Sequence, residues 1–131
     1  MAQVIIAEDD TVLARMYSKA LEIEGIGAEL VTNGEETVQK VRTNPPQLLL
    51  LDIMMPKMSG FQVLDILKAD EKLKVIPVVV LTNLHSTEDT NLALSKGAAE
   101  CIVKSRSNPM EVVTIAKRYL TQPGNGHIPA T

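Results

Sequence analysis

Four short runs of this chain, Val4 to Ala7, Leu48 to Leu51, Val78 to Leu81 and Cys101 to Val103, are apolar without interruption. A strand with one face in water alternates apolar and polar residues. An unbroken run of this length fits a strand covered on both faces, as in a central parallel sheet. Ala28 to Val31 is a fifth, more polar run that suits the edge of the same sheet.

Helical spacing fills the intervals. Thr11 to Glu24 sets Val12, Leu13, Met16, Ala20, Leu21 and Ile23 along one broad side and stops at Gly25. Asn33-Gly34 opens a second helix that ends before Pro45-Pro46, and Ser59-Gly60 opens a third through Phe61, Val63, Leu64, Ile66 and Leu67. Thr87 to Lys96 reads as a fourth, closed by Gly97, and Pro109 as the first-turn residue of a fifth reaching about Tyr119. Strict alternation of strand and helix with short connections implies an α/β fold, a parallel sheet with helices on both faces. At 131 residues there is room for one such domain. In open sheets of this kind ligands bind at the carboxyl ends of the strands.

Composition narrows the function. The net charge is −3 and aromatic residues make up 2%, which disfavours direct nucleic-acid binding, since neither a basic surface nor a base-stacking platform is available. A single cysteine, Cys101, forms no internal disulfide, and no apolar run approaches the ~20 residues of a membrane span. A cytoplasmic protein without membrane insertion is expected.

The first residues past the strong strands are Glu8-Asp9-Asp10, Asp52, Thr82 and Lys104. Carboxylates crowded around Asp52 repel one another and require counter-charge; oxygen ligands select a hard cation such as Mg²⁺, and Lys104 adds a second positive charge. A divalent ion, a lysine and a hydroxyl around one carboxylate suit phosphoryl transfer, where positioning and neutralisation of oxygen charge dominate. Asp52 would be the nucleophile, forming an acyl phosphate.

These pieces, VIIAEDD, LLLLDIMMPKMSG, VVVLTN and GAAECIVKS, with 43 residues from Asp9 to Asp52, resemble the receiver domain of bacterial response regulators over about residues 3 to 120. The resemblance implies a flavodoxin-like (βα)5 doubly wound fold, a five-stranded parallel sheet of order 2-1-3-4-5. It makes Asp52 the phosphoacceptor, with Asp9 and Asp52 as direct ligands of Mg²⁺ (or Mn²⁺), Glu8 acting through water, and the Met54 backbone carbonyl completing the protein side. Thr82 and Lys104 would each hold a phosphoryl oxygen, with Thr82 as a switch position. Pro56 and Gly60 would shape the loop beyond Asp52. Asp10 falls outside the metal shell and reads as a helix N-cap.

Two departures stand out. Family members usually carry Tyr or Phe three residues before the lysine, a second switch position held here by Cys101. As a lone thiol Cys101 reads as a small buried hydrophobe, with redox sensing the minor alternative. Where relatives have a cis proline after the lysine, Ser105 stands; a cis bond without proline costs about 3 to 4 kcal/mol, so a trans bond is expected. Asn83 and Met54 occupy positions that influence water access to the phosphoryl group in relatives. Met54, Met55 and Met58 read as packing residues, His85 and the run Lys68 to Lys74 read as solvated, and His127 belongs to the tail.

The expectation is therefore a stand-alone receiver, residues 1–121, with a flexible C-terminal tail, residues 122–131. It would take a phosphoryl group from a sensor histidine kinase or a small acyl phosphate and shift its helix 4, strand 5 and helix 5 surface toward an unknown downstream protein target. It would be a monomer or a phosphorylation-dependent dimer, and not a turnover enzyme, since it acts on itself. Three alternatives stay open: a non-cycling pseudo-receiver that serves as a constitutive interaction module, a Mg²⁺-dependent phosphohydrolase, and a fragment of a longer regulator.

Overall fold

In the computed structural model, residues 3–82, 87–104 and 108–120 are described. The expected tail, Asn83, His85, His127 and the Lys104-Ser105 bond lie outside them. The elements alternate as expected: β1 (Val4–Ala7), α1 (Thr11–Ile23), β2 (Ala28–Val31), α2 (Gly34–Thr43), β3 (Leu48–Asp52), α3 (Gly60–Lys68), β4 (Val78–Thr82), α4 (Thr87–Ser95), β5 (Glu100–Val103) and α5 (Pro109–Leu120). All strand pairs are parallel, in the order β2-β1-β3-β4-β5. This is the flavodoxin-like order, with β2 at an edge.

The sheet separates two cores. On one side Leu49, Leu51 and Val80 meet Val38 and Val41 of α2, Val63, Leu64 and Leu67 of α3 and Ala93 of α4. On the other, Ile6, Leu48, Leu50 and Ile102 meet Ala14, Tyr17 and Leu21 of α1 and Val112, Val113 and Ala116 of α5. The central strands β1, β3 and β4 are buried along their whole length, which is why their sequences do not alternate. α4 is anchored least, with Ala93 as its one buried residue.

Local chemistry sets the helix starts at the strand ends. Asp10 caps α1 by accepting from the Leu13 N–H at 3.1 Å, Asn33 caps α2 by accepting from Glu36 at 2.8 Å, and Ser59 with Gln62 forms a capping box on α3. Gly25 and Gly97 close helices in the left-handed region, with φ of 79° and 108°.

The apolar side expected for α1 needs correction. Val12 and Ile23 are 69% and 75% exposed and Met16 is exposed as well, while the buried stripe is Ala14, Tyr17 and Leu21, at i, i+3 and i+7. The helix carries apolar residues around more than one side, so the periodicity allowed a face that the sheet does not cover. Lys68 also differs from the solvated reading: half-buried, it donates to the carbonyls of Lys74 and Ile76 at 3.0 and 3.3 Å and fastens the α3–β4 connection.

Behind β3 the backbone returns tightly on itself. Gly60 N–H donates to the Ile53 carbonyl at 2.8 Å, and a Cβ on Gly60 would lie 2.5 Å from the Asp52 carbonyl oxygen and 2.7 Å from the Ile53 Cα. Backbone cannot swing aside as a side chain does. Gly60→Ala is accordingly expected to cost about 1 to 3 kcal/mol through overpacking and to displace the Asp52 main chain. Urea denaturation reads the loss, and an unchanged midpoint would count against this tight approach.

Candidate functional site

β1, β3 and β5 deliver their next polar residues to one place. Glu8 is fully buried, Asp52 is 1% exposed, and Asp9 is exposed beside them. One carboxylate oxygen from each of Glu8, Asp9 and Asp52 lies within 4.8 Å of the other two. Lys104 enters from β5: its Nζ stands 2.9 Å from Glu8 Oε1 and 3.4 Å from Asp52 Oδ1, with its side chain 7% exposed. The second Glu8 oxygen accepts the Asp10 N–H at 3.1 Å, and Asp52 Oδ1 accepts the Met54 N–H at 3.1 Å.

Burial first, and then the negative charge of Glu8, push the Asp52 carboxyl up to about 7, against the opposing pull of Lys104 and the Met54 N–H. Burial by itself would lower Lys104, but its hydrogen bond to Glu8 and the charges of Asp52 and Glu8 outweigh it and hold the ammonium above its ordinary value. The site thus gathers three acids around one lysine. Three close carboxylate oxygens, from Glu8, Asp9 and Asp52, with a deficit of positive charge fit a hard divalent cation.

The strand ends are also laced together. Ile53 N–H donates to the Leu81 carbonyl at 3.1 Å and Lys104 N–H to the Thr82 carbonyl at 2.8 Å, which ties the acid on β3 and the lysine after β5 to the buried Thr82 on β4. Asp10 is the α1 cap, as expected.

The remaining expected residues fall around this centre. Met54 is exposed, whereas Met55 and Met58 pack partly buried against the α2/α3 core. Cys101 is half-buried on the same side, with its Sγ 3.8 Å from the Thr90 carbonyl of α4; burial pushes its thiol up, away from the reactive thiolate. Two residues near the site were not foreseen. Gly34 opens α2 where a Cβ would overlap the Met58 carbonyl, so the second helix braces the loop after Asp52. Tyr17 lies fully buried in the core between the sheet, α1 and α5, with a hydroxyl that has no partner among the described residues; its place at i+3 from Ala14 and i−4 from Leu21 is the available signal.

Fold and site define an α/β protein with an acidic centre at the carboxyl edge of a parallel sheet. The chain belongs to the response regulator receiver domain family, whose pattern matches residues 4–117. It is 35% identical over 120 residues to the transcriptional regulatory protein CpxR homolog of Haemophilus influenzae, covering 92% of this chain and 51% of that protein. The chain spans about half the length of that protein and of the DNA-binding response regulator MtrA of Mycobacterium tuberculosis, which is likewise 35% identical over 90% of this chain. Among solved structures, the signal receiver domain of a signal transduction histidine kinase from Syntrophus aciditrophicus superposes with a TM-score of 0.85 at 30% identity, covering 100% of this chain and 97% of that one. The Mn²⁺-bound form of response regulator Rcp1 matches with a TM-score of 0.81 at 27% identity, over 97% and 98% of the two chains.

Proposed function

We propose that this receiver domain is a phosphoryl-accepting relay that uses Asp52 as the acceptor. The observation that carries the reading is the buried Lys104 ammonium held 2.9 Å from Glu8 and 3.4 Å from Asp52, beside three carboxylates able to share one cation.

An Asp52 oxygen attacks the phosphorus of a phosphohistidine or a small acyl phosphate. The new O–P bond forms as the bond to the donor nitrogen or oxygen breaks, and the leaving group keeps that electron pair. Lys104 neutralises charge on the equatorial oxygens, and the Thr82 hydroxyl at the end of β4 donates to one of them. A Mg²⁺ or Mn²⁺ ion would be held by Asp9 and Asp52, with Glu8 through water and the Met54 carbonyl as further donors, and would supply further charge neutralisation. The Mn²⁺-bound Rcp1 relative supports such a cation. Hydrolysis follows when water attacks the same phosphorus and returns the Asp52 carboxylate. The domain acts on its own side chain and is not a turnover enzyme.

Redirection of Lys104 and Thr82 toward the phosphoryl group would pull on the ends of β4 and β5 and change the α4, β5 and α5 surface offered to a downstream protein. Cys101, seated against α4, takes the place of an aromatic switch there. The partners proposed are a sensor histidine kinase and a protein target in the cytoplasm. Membrane insertion is not part of this reading: no helix among the described residues is long and apolar enough to cross a membrane.

Intact-mass spectrometry after incubation with acetyl phosphate, with and without Mg²⁺, tests the reading. One phosphoryl adduct, formed only with Mg²⁺ and mapped to the peptide holding Asp52, is expected; no adduct, or one elsewhere, would overturn it.

The raised Asp52 carboxyl also sets a pH dependence. Because it titrates at about 7 in the folded protein, Mg²⁺ binding near pH 7 must displace a proton, and affinity should fall up to about tenfold for each pH unit below 7. Calorimetric titration in buffers of different ionisation enthalpy reads the proton release. Equal heats at pH 6.5, after correction for binding, would contradict it.

A further inference from the structure

Tyr17 packs its ring in the core between the sheet, α1 and α5, yet its hydroxyl is the one buried side-chain polar atom among the described residues with no hydrogen-bond partner. Buried hydroxyls in folded proteins nearly always find a partner, so an idle one calls for an explanation. Geometry supplies a candidate. Side chains alternate along a strand, and Ile6 of β1, Leu50 of β3 and Ile102 of β5 face α1 and α5. One further step of that period brings Glu8, Asp52 and Lys104 to the same side, above the layer that holds Tyr17. Helical side chains lean toward their helix's N-terminus, and for α1 that end is Asp10, whose N–H already binds Glu8. The phenol's ionisation is disfavoured first by burial and then by the charge of Glu8, with Lys104 and Asp52 acting on it as well, which places the ring within the field of the site.

We propose that Tyr17 is a positioning residue for the phosphoryl site: its hydroxyl donates a hydrogen bond to Glu8 when Lys104 leaves that carboxylate for a phosphoryl oxygen. The inference rests on Asp52 being the phosphoryl acceptor. In the resting protein Lys104 satisfies Glu8 Oε1, and Tyr17 has nothing to do. Once the ammonium turns to the incoming phosphoryl group, Glu8, fully buried, would lose its charged donor and keep the Asp10 N–H beside a water on the bound cation. A buried carboxylate stripped of a charged donor is strongly disfavoured. A phenol on the same side of the sheet can replace the lost donor and so favours the phosphorylated arrangement without stabilising the resting one.

The chain has two tyrosines, Tyr17 and Tyr119, and no tryptophan, so tyrosine emission can be read directly. In a Tyr119→Phe background, Mg²⁺ with beryllofluoride, a phosphoryl mimic, should quench Tyr17 emission, because a phenol bonded to a carboxylate is quenched; Mg²⁺ alone should do so less. Tyr17→Phe should leave resting stability unchanged or slightly higher and weaken beryllofluoride binding about tenfold, as expected for one hydrogen bond to a charged group. Emission that stays constant while a thermal shift shows the mimic bound would overturn the proposal. So would a Tyr17→Phe protein that binds the mimic with wild-type affinity. If Tyr17→Phe fails to fold, the emission measurement decides alone. Absence of any thermal shift with Mg²⁺ and beryllofluoride in the wild type would instead overturn the phosphoryl-acceptor reading, and this inference with it.

Discussion

Asp52→Asn should abolish the acetyl phosphate adduct and, in the absence of metal, make the protein more stable at pH 8. The first effect follows from removing the nucleophile. The second follows from where that nucleophile sits. Asp52 is buried beside Glu8, and its carboxyl titrates at about 7 in the folded state against an ordinary value of 3.8. A group raised in this way contributes its full share of stability below pH 4 and loses it as the pH climbs through 7. At pH 8 the folded protein carries an ionised Asp52 that it would rather hold protonated. Asparagine keeps the acceptor oxygen for the Met54 N–H and carries no charge. A tenfold change in a proton's affinity between the folded and unfolded chain corresponds to about 1.4 kcal/mol. We therefore expect Asp52→Asn to exceed wild type by about 2 to 4 kcal/mol at pH 8, with the difference closing near pH 4. Urea denaturation at the two pH values measures it. A variant less stable than wild type at pH 8 would mean that Asp52 holds the fold together rather than straining it.

Removal of the lysine should do the reverse. Lys104 is the cation between Glu8 and Asp52, and Lys104→Met keeps most of its volume while deleting the charge, so the effect reports electrostatics more than a cavity. Breaking a buried ion pair from one side typically costs about 3 to 5 kcal/mol, because the remaining charge is left without compensation. Here two carboxylates are left. The loss should be largest at pH 8 without metal and shrink on acidification, as the acids take up protons, or on addition of Mg²⁺. Thermal melts across that grid test it. A loss of the same size under all conditions would assign Lys104 to packing.

The residues behind both effects could be read from the sequence. A strand buried on both faces is continuously apolar, so its first polar residue marks the carboxyl edge; Glu8, Asp52 and Lys104 were legible for that reason, and parallel strands bring such edges together. Sequence spacing was a poorer guide within α1. Val12, Met16 and Ile23 are apolar and exposed, and periodicity alone could not say which apolar side the sheet covers. Tyr17 carries no such mark, because the burial of its hydroxyl is a property of the assembled layers. A charged side chain such as Lys68 gives no sign in sequence that two carbonyls wait for it. The close approach of Gly60 to the Asp52 carbonyl likewise exists only once α3 is folded back on β3.

α4 buries Ala93 alone, while Leu92 and Leu94 remain exposed. So little apolar area holds the helix that moving it would expose little more apolar surface to water. A bound group can bias an equilibrium between two placements only by the difference in how tightly it is held in the two arrangements. Inverting a population from 1:99 to 99:1 takes about 5.5 kcal/mol, which two or three hydrogen bonds to a charged group can provide. A fully sunk helix would raise that threshold beyond the reach of a single phosphoryl group. On the phosphoryl-relay reading, the thin seat of α4 would set how small a chemical event can be and still be felt across the molecule.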